Sequence, residues 1–254
     1  MRNVLVAFAV CALAAPAAMS AGARWDDETE HVNRTVKMDP GGTLRVRSFS
    51  GRVTITATDG NDVVIDAVRR APRSRLDRIT LDIHSEGSRT VVIDANHRER
   101  SWYEFSGNNV VETDLDIKVP RRADLDVSVF SAPVTVDGVE GSHKLHSFSG
   151  RMALNDVAGP IRAHSFSGPV QISEKAFDGS QTIDVQTFSG GIDVRVPESA
   201  RAAISFHSFS GHLDSDIPLK IRTGNRRSLV AELGDGGGGQ LRFKTFSGSV
   251  RINR

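Results

Sequence analysis

Short alternations of apolar and polar residues run along almost the whole chain, in pairs that flank one tetrapeptide. Ser48-Phe49-Ser50-Gly51 recurs as Ser147 to Gly150, Ser165 to Gly168, Thr187 to Gly190, Ser208 to Gly211 and Thr245 to Gly248. A degenerate copy runs from Val129 through Phe130 and Ser131 to Ala132. Counting from the phenylalanine, position −3 holds Val46, Val127, Leu145, Ala163, Val185, Phe206 and Phe243, and position −5 holds Leu44, Leu125, His143, Ile161, Ile183, Ile204 and Leu241. Positions +4 and +6 are apolar in nearly every copy, as in Val53 with Ile55 and Val170 with Ile172. Period-two patterning on both sides of the motif predicts two short strands, each with one buried face. Beyond residue 24 no sustained 3.6-residue period occurs, so the chain reads as all-β.

The parity of the buried positions changes across the motif, from odd before it to even after it. We expect a corner there, with the residue at −1 and the phenylalanine both turned inward, so that Phe49, Phe130, Phe148, Phe166, Phe188, Phe209 and Phe246 form a core stack. The alternative is an exposed aromatic stripe that grips a polymer such as a glycan. Gly51, Gly150, Gly168, Gly190, Gly211 and Gly248, at +2, then occupy tight inward sites or a φ that larger residues resist. The phenylalanines are 18 residues apart from Phe130 to Phe148 and again to Phe166, then 22 to Phe188 and 21 to Phe209. Units of 18–22 residues with two short strands bury their faces only by stacking. The expected fold is therefore a parallel β-solenoid, right-handed by the usual chirality preference. The gap before Phe246 leaves room for one more coil containing Ser228 to Leu233. Antiparallel hairpins in a sandwich are the alternative, better suited to residues 29–110.

Three regions depart from the repeat. Residues 1–23 combine Arg2, an apolar run from Val4 to Ala15 and a small-residue tail, which reads as a secretory signal peptide and places the product in the periplasm, at the cell surface or in the medium. Residues 24–110 form an N-terminal β region continuous with the regular repeats of 111–254. Within it, residues 97–109 carry Trp102, Tyr103 and Phe105, either an aromatic contact loop for a partner or glycan, or a flap over open core at the edge of the repeat.

Chemistry is sparse. Lysine and arginine total 32 against 31 acids, a net charge of +1, which argues against nucleic acid as the partner. The single cysteine, Cys11, lies in the leader, leaving no disulfide, thiol nucleophile or thiolate metal site. After the leader no run is long and apolar enough to span a membrane. His146 and His164 fall on neighbouring coils at −2 and are weak metal candidates, since no carboxylate recurs there to complete a ligand set. No serine sits in a nucleophile elbow, the glycine-rich stretch 234–239 lacks a phosphate-binding ending, and no cofactor is expected.

The leader, the strand–turn–strand entry around Asp59-Gly60, and the units Val139-Glu140-Gly141 and Val157-Ala158-Gly159 ahead of Ser-Phe-Ser-Gly resemble the bacterial adhesin-type family of β-strand-repeat proteins, a domain of unknown function found in the cell envelope. The resemblance covers roughly residues 30–254. It implies a β-solenoid and an envelope setting, and it supplies no catalytic residues. Two function classes follow: a non-catalytic envelope scaffold or adhesin-like binding module that meets an unidentified protein or glycan, and a carbohydrate-active β-helix enzyme.

Overall fold

The structure, a computed structural model, describes residues 27–98, 110–177, 180–225 and 227–254. The expected signal peptide and the candidates Trp102, Tyr103 and Phe105 lie outside the described residues. The described residues are β throughout, apart from one helical turn. Its elements are β1 (Glu28–Lys37), β2 (Gly42–Ser48), β3 (Val53–Thr58), β4 (Asp62–Ala71), α1 (Arg73–Leu76), β5 (Ile79–Glu86), β6 (Thr90–Arg98) and β7 (Glu112–Pro120). Then come the strand pairs β8 (Ala123–Val129) with β9 (Val134–Asp137), β10 (His143–Ser147) with β11 (Met152–Ala158), β12 (Ile161–Ser165) with β13 (Val170–Ala176), β14 (Thr182–Thr187) with β15 (Ile192–Arg195), and β16 (Ala202–Ser208) with β17 (Leu213–Ser215). β18 (Leu219–Asn225) and β19 (Ser228–Leu233) precede the last pair, β20 (Gly239–Thr245) with β21 (Val250–Asn253).

Two large sheets result, mostly parallel. The first has the order β1-β4-β7-β3-β9-β11-β13-β15-β21-β17, and the second β18-β19-β16-β20-β14-β12-β10-β8-β2-β6-β5. Each motif joins a strand of the second sheet to a strand of the first, so every pass of the chain adds one rung to both. Equivalent positions stand in register: Leu125, His143, Ile161, Ile183 and Leu241 follow one another across the second sheet. The inward residues at −5 and −3 meet those at +4 and +6 from the facing sheet in one continuous core. An 18-residue rung could not bury both faces alone, and stacking removes that problem.

The rungs are not stacked in chain order. β2 and β3 lie between β6/β7 and β8/β9, and β20 and β21 lie between β14/β15 and β16/β17. Residues Ser228 to Leu233 do not make another coil, as the spacing suggests; they are β19, antiparallel to both β16 and β18 at the edge. Antiparallel strands also finish the other end, where β1 covers β4 and β5 pairs with β6 around Glu86-Gly87-Ser88. Arg69 of β4 is buried there, donating to Glu30 of β1 and to the Ile79 carbonyl. Residues 29–110 thus mix antiparallel edges with three strands, β2, β3 and β6, that pair in parallel with their neighbours.

Candidate functional site: the aromatic ridge and its groove

The corner is built differently from the expectation. The residue at −1 is buried in each copy: Ser48, Val129, Ser147, Ser165, Thr187, Ser208 and Thr245. The phenylalanine that follows is not. Phe130, Phe148, Phe166, Phe188, Phe209 and Phe246 are 43–58% exposed, and Phe49 is half-buried. The parity switch is real, but it consists of two consecutive outward residues, Phe and Ser, rather than two inward ones.

Two local interactions force this choice. At −1 the hydroxyl turns back on the backbone two or three residues on: Ser165 Oγ donates to the Gly168 carbonyl at 2.7 Å, Thr187 Oγ1 to Gly190 at 2.7 Å and Thr245 Oγ1 to Gly248 at 2.8 Å. Ser147 Oγ both donates to the Gly150 carbonyl and accepts from its N–H. A hydroxyl that closes its own turn in this way satisfies backbone groups the corner would otherwise strand. At +2 the glycine comes down on the neighbouring rung. A Cβ at Gly168 would stand 2.0 Å from the Gly150 carbonyl oxygen, one at Gly190 2.1 Å from that of Gly168, and one at Gly248 2.1 Å from that of Gly190. Space, not φ, demands glycine there; Gly51 alone of the six also has a positive φ, +101°. The degenerate copy loses hydroxyl and glycine together, as Val129 and Ala132.

With −1 and +2 held inside, the phenylalanines line up outside. Their order along the stack is Phe49, Phe130, Phe148, Phe166, Phe188, Phe246, Phe209, with centroid spacings of 4.6–5.0 Å and interplanar angles of 2–10°. That spacing is the strand separation of the sheet. At such distances parallel rings are offset and each covers part of its neighbours' faces. The result is a straight ridge of ring edges, roughly 29 Å long at one strand spacing per ring. By contrast Phe206 and Phe243, at −3, are among the largest fully enclosed side chains.

The ridge is one wall of a groove of about 1210 Å³ along the outer face of the second sheet. Its other side is the row at −2, Arg47, Ser128, His146, His164, Gln186, Lys244 and His207, with Asp94 and Asn96 of β6 at one end and Arg227 at the other. The volume exceeds the usual range for a single small-molecule pocket, and the groove runs the length of the stack. Arg227 stands over the Phe209 ring, 5.4 Å from its centroid. His146 and His164 do meet, 5.1 Å apart and inclined at 47°. Burial, then the neighbouring His164 and Lys144, lower the His146 pKa. No cluster of three or more His, Cys, Asp or Glu side chains that could hold a metal ion occurs among the described residues. The sequence points the aromatic row inward as core, with an exposed stripe as the alternative, and the exposed rings correct that direction. The signal that could have corrected it is the paired hydroxyl at −1 and glycine at +2.

Residues 123–253 match the family model described as Toastrack DUF4097. The chain belongs to this family. The match takes in the regular rungs from β8 to β21, so the Toastrack region carries six of the seven ridge phenylalanines. Among solved structures, a Clostridium sporogenes protein described as a candidate cell adhesion protein aligns with a TM-score of 0.54 at 11% identity, covering 88% of this chain and 99% of its own. A candidate adhesin from Bacteroides fragilis covers 88% of this chain and 97% of its own, with a TM-score of 0.34 at 11% identity. A candidate lipid binding protein from Parabacteroides distasonis covers 88% and 96%, with a TM-score of 0.31 at 13% identity. The first of these supports the fold; the other two superpose too loosely to carry an argument. No curated protein matches the sequence.

Proposed function

We propose that this protein is a non-catalytic, exported module of the cell envelope, adhesin-like or scaffolding in role, that meets its partner through the phenylalanine ridge and the groove beside it. On this reading residues 1–23 are a removable secretory leader, and the rungs of 24–254 form one right-handed β-solenoid. The observation that carries it is the outward row itself. Seven aromatic rings in a line are a contiguous apolar strip of the kind that marks interaction surfaces. The rigid stack fixes their spacing, so little side-chain freedom is lost on binding.

The carbohydrate-active alternative has less support. Hydrolysis of a glycosidic bond by the common route uses two carboxyl groups across the scissile linkage, and Asp94 is the one carboxylate among the described residues lining the groove. Among the described residues no helix is long and apolar enough to cross a membrane. The test is binding of the purified protein to isolated envelopes of a producing bacterium. Phe148→Ser, Phe166→Ser and Phe188→Ser combined should abolish retention while leaving the melting transition cooperative. Unchanged retention of that variant would overturn the reading.

A further inference from the structure

We propose that the outer face of the second sheet docks on an anionic lipid bilayer, the ridge entering the interfacial zone while cations beside it meet the lipid phosphates. This rests on the reading that the ridge is the binding surface.

The argument is one of charge and shape. Outward positions −4 and −2 of the second sheet carry Arg45, Arg47, Lys144, Arg162, Arg242 and Lys244 against Asp126 and Asp184. Arg45 is engaged by Glu86 and lies near Asp126. Arg47, Lys144, Arg162 and Lys244 have no ion-pair partner among the described residues, and Arg47, Lys144, Arg162, Arg242 and Lys244 are all exposed. The chain as a whole has a net charge of only +1, so this excess is local. Outward positions of the first sheet mix Asp116, Asp137, Asp193 and Asp214 with Lys118, Arg195 and Arg251, so the two signs nearly balance there. The −4 and −2 rows of the second sheet therefore carry a local excess of positive charge, and the apolar ridge runs along their margin.

Three occupants compete for such a surface. A second copy of the chain would bring the same cations against these, and like charges across an interface are unfavourable. A sugar polymer needs open ring faces to stack on, but inside the row each ring's faces are taken by its neighbours. A bilayer needs neither a matched sequence nor ring faces. It offers an apolar layer to ring edges that lie in one line, and phosphates to the cations alongside. Reversible membrane attachment commonly takes two signals, an apolar insertion and a basic patch, and this face supplies both.

The test is co-sedimentation of the exported protein, residues 24–254, with vesicles of phosphatidylcholine alone and of phosphatidylcholine mixed with phosphatidylglycerol. Binding should require phosphatidylglycerol and weaken as salt rises from about 0.1 M to about 0.5 M. F148S/F166S/F188S and, separately, K144E/R162E/K244E should each weaken it by at least about tenfold. The second variant changes only exposed side chains, so it decides the matter even if the first folds poorly. Equal binding to both vesicles, or none to either, overturns the proposal. If vesicles fail but envelopes still retain the protein through the ridge, the lipid inference falls and the ridge remains a binding surface for something else. Retention that protease treatment of the envelopes removes would assign it to a protein. Failure on vesicles and envelopes alike sinks both.

Discussion

His143 gives the sharpest stability test of the stacked core. It occupies position −5 of β10, in register with Leu125 on one side and Ile161 on the other, and is wholly enclosed. Burial pushes its pKa from 6.5 down to about 4, an effect that the Ala158 and Val139 backbone and the Asp124 charge offset only in part. Above the unfolded pKa both states are neutral and folding is unaffected. As pH falls below about 6.5 the unfolded chain takes up a proton that the folded chain refuses, so stability declines until the folded pKa is passed near 4. A gap of that size corresponds to about 3 kcal/mol. His143→Leu removes the titration while keeping the volume apolar, as at the neighbouring rungs. Urea unfolding of both proteins at several pH values between about 8 and 4 should show the variant gaining on the wild type by about 3 kcal/mol across the window. Taking the difference between the two cancels the carboxylates, which titrate in both. A difference that stays constant within about 0.5 kcal/mol would show that the imidazole is not buried, and the register of β8, β10 and β12 would be wrong.

Other substitutions probe the corner. Gly168→Ala should destabilise by more than the 1–3 kcal/mol or so of ordinary overpacking, because the clash is with backbone that neighbouring rungs hold; Gly60→Ala, with 3.8 Å of room, should be near neutral by the same melt. Ser165→Ala strands the buried Gly168 carbonyl and should cost about 1–2 kcal/mol, read by denaturant midpoint. Phe206→Ala, deep in the core, should cost about 3–5 kcal/mol. Phe166→Ala, half-exposed but stacked on both sides, should cost about 1.5 kcal/mol. Equal losses from the two phenylalanine variants would mean that the ridge rings are buried after all.

Much of this architecture can be read in the chain. Alternation around each motif gives the paired strands, the spacing of the phenylalanines gives rungs that stack in register, and glycine at +2 gives the tight approach of one rung to the next. The direction of the phenylalanine does not follow from spacing, because a parity switch works equally with two consecutive residues in or two out. Ser165 and Gly168 settle it together: the hydroxyl needs a buried carbonyl to close on, and the glycine needs a carbonyl to lie against. The insertion of β2/β3 and β20/β21 into the stack is a long-range choice among rungs with nearly equivalent faces, which local pattern cannot rank. Ser228 to Leu233 alternate as a rung strand does, and only their antiparallel pairing with Ala202 to His207 reveals an edge hairpin. The row of phenylalanines was legible as a repeat, and its outward direction was not.

The most direct measurement uses cysteine at Phe166 in a background where Cys11 is replaced by serine, with Gln171→Cys on the outer face of the first sheet as control. Both positions are exposed, so both should react with a bulky maleimide in the native protein. Labelled Phe166→Cys should then lose envelope binding, while labelled Gln171→Cys keeps it. Slow labelling at 166, or binding that survives the label there, would contradict an outward, binding ridge.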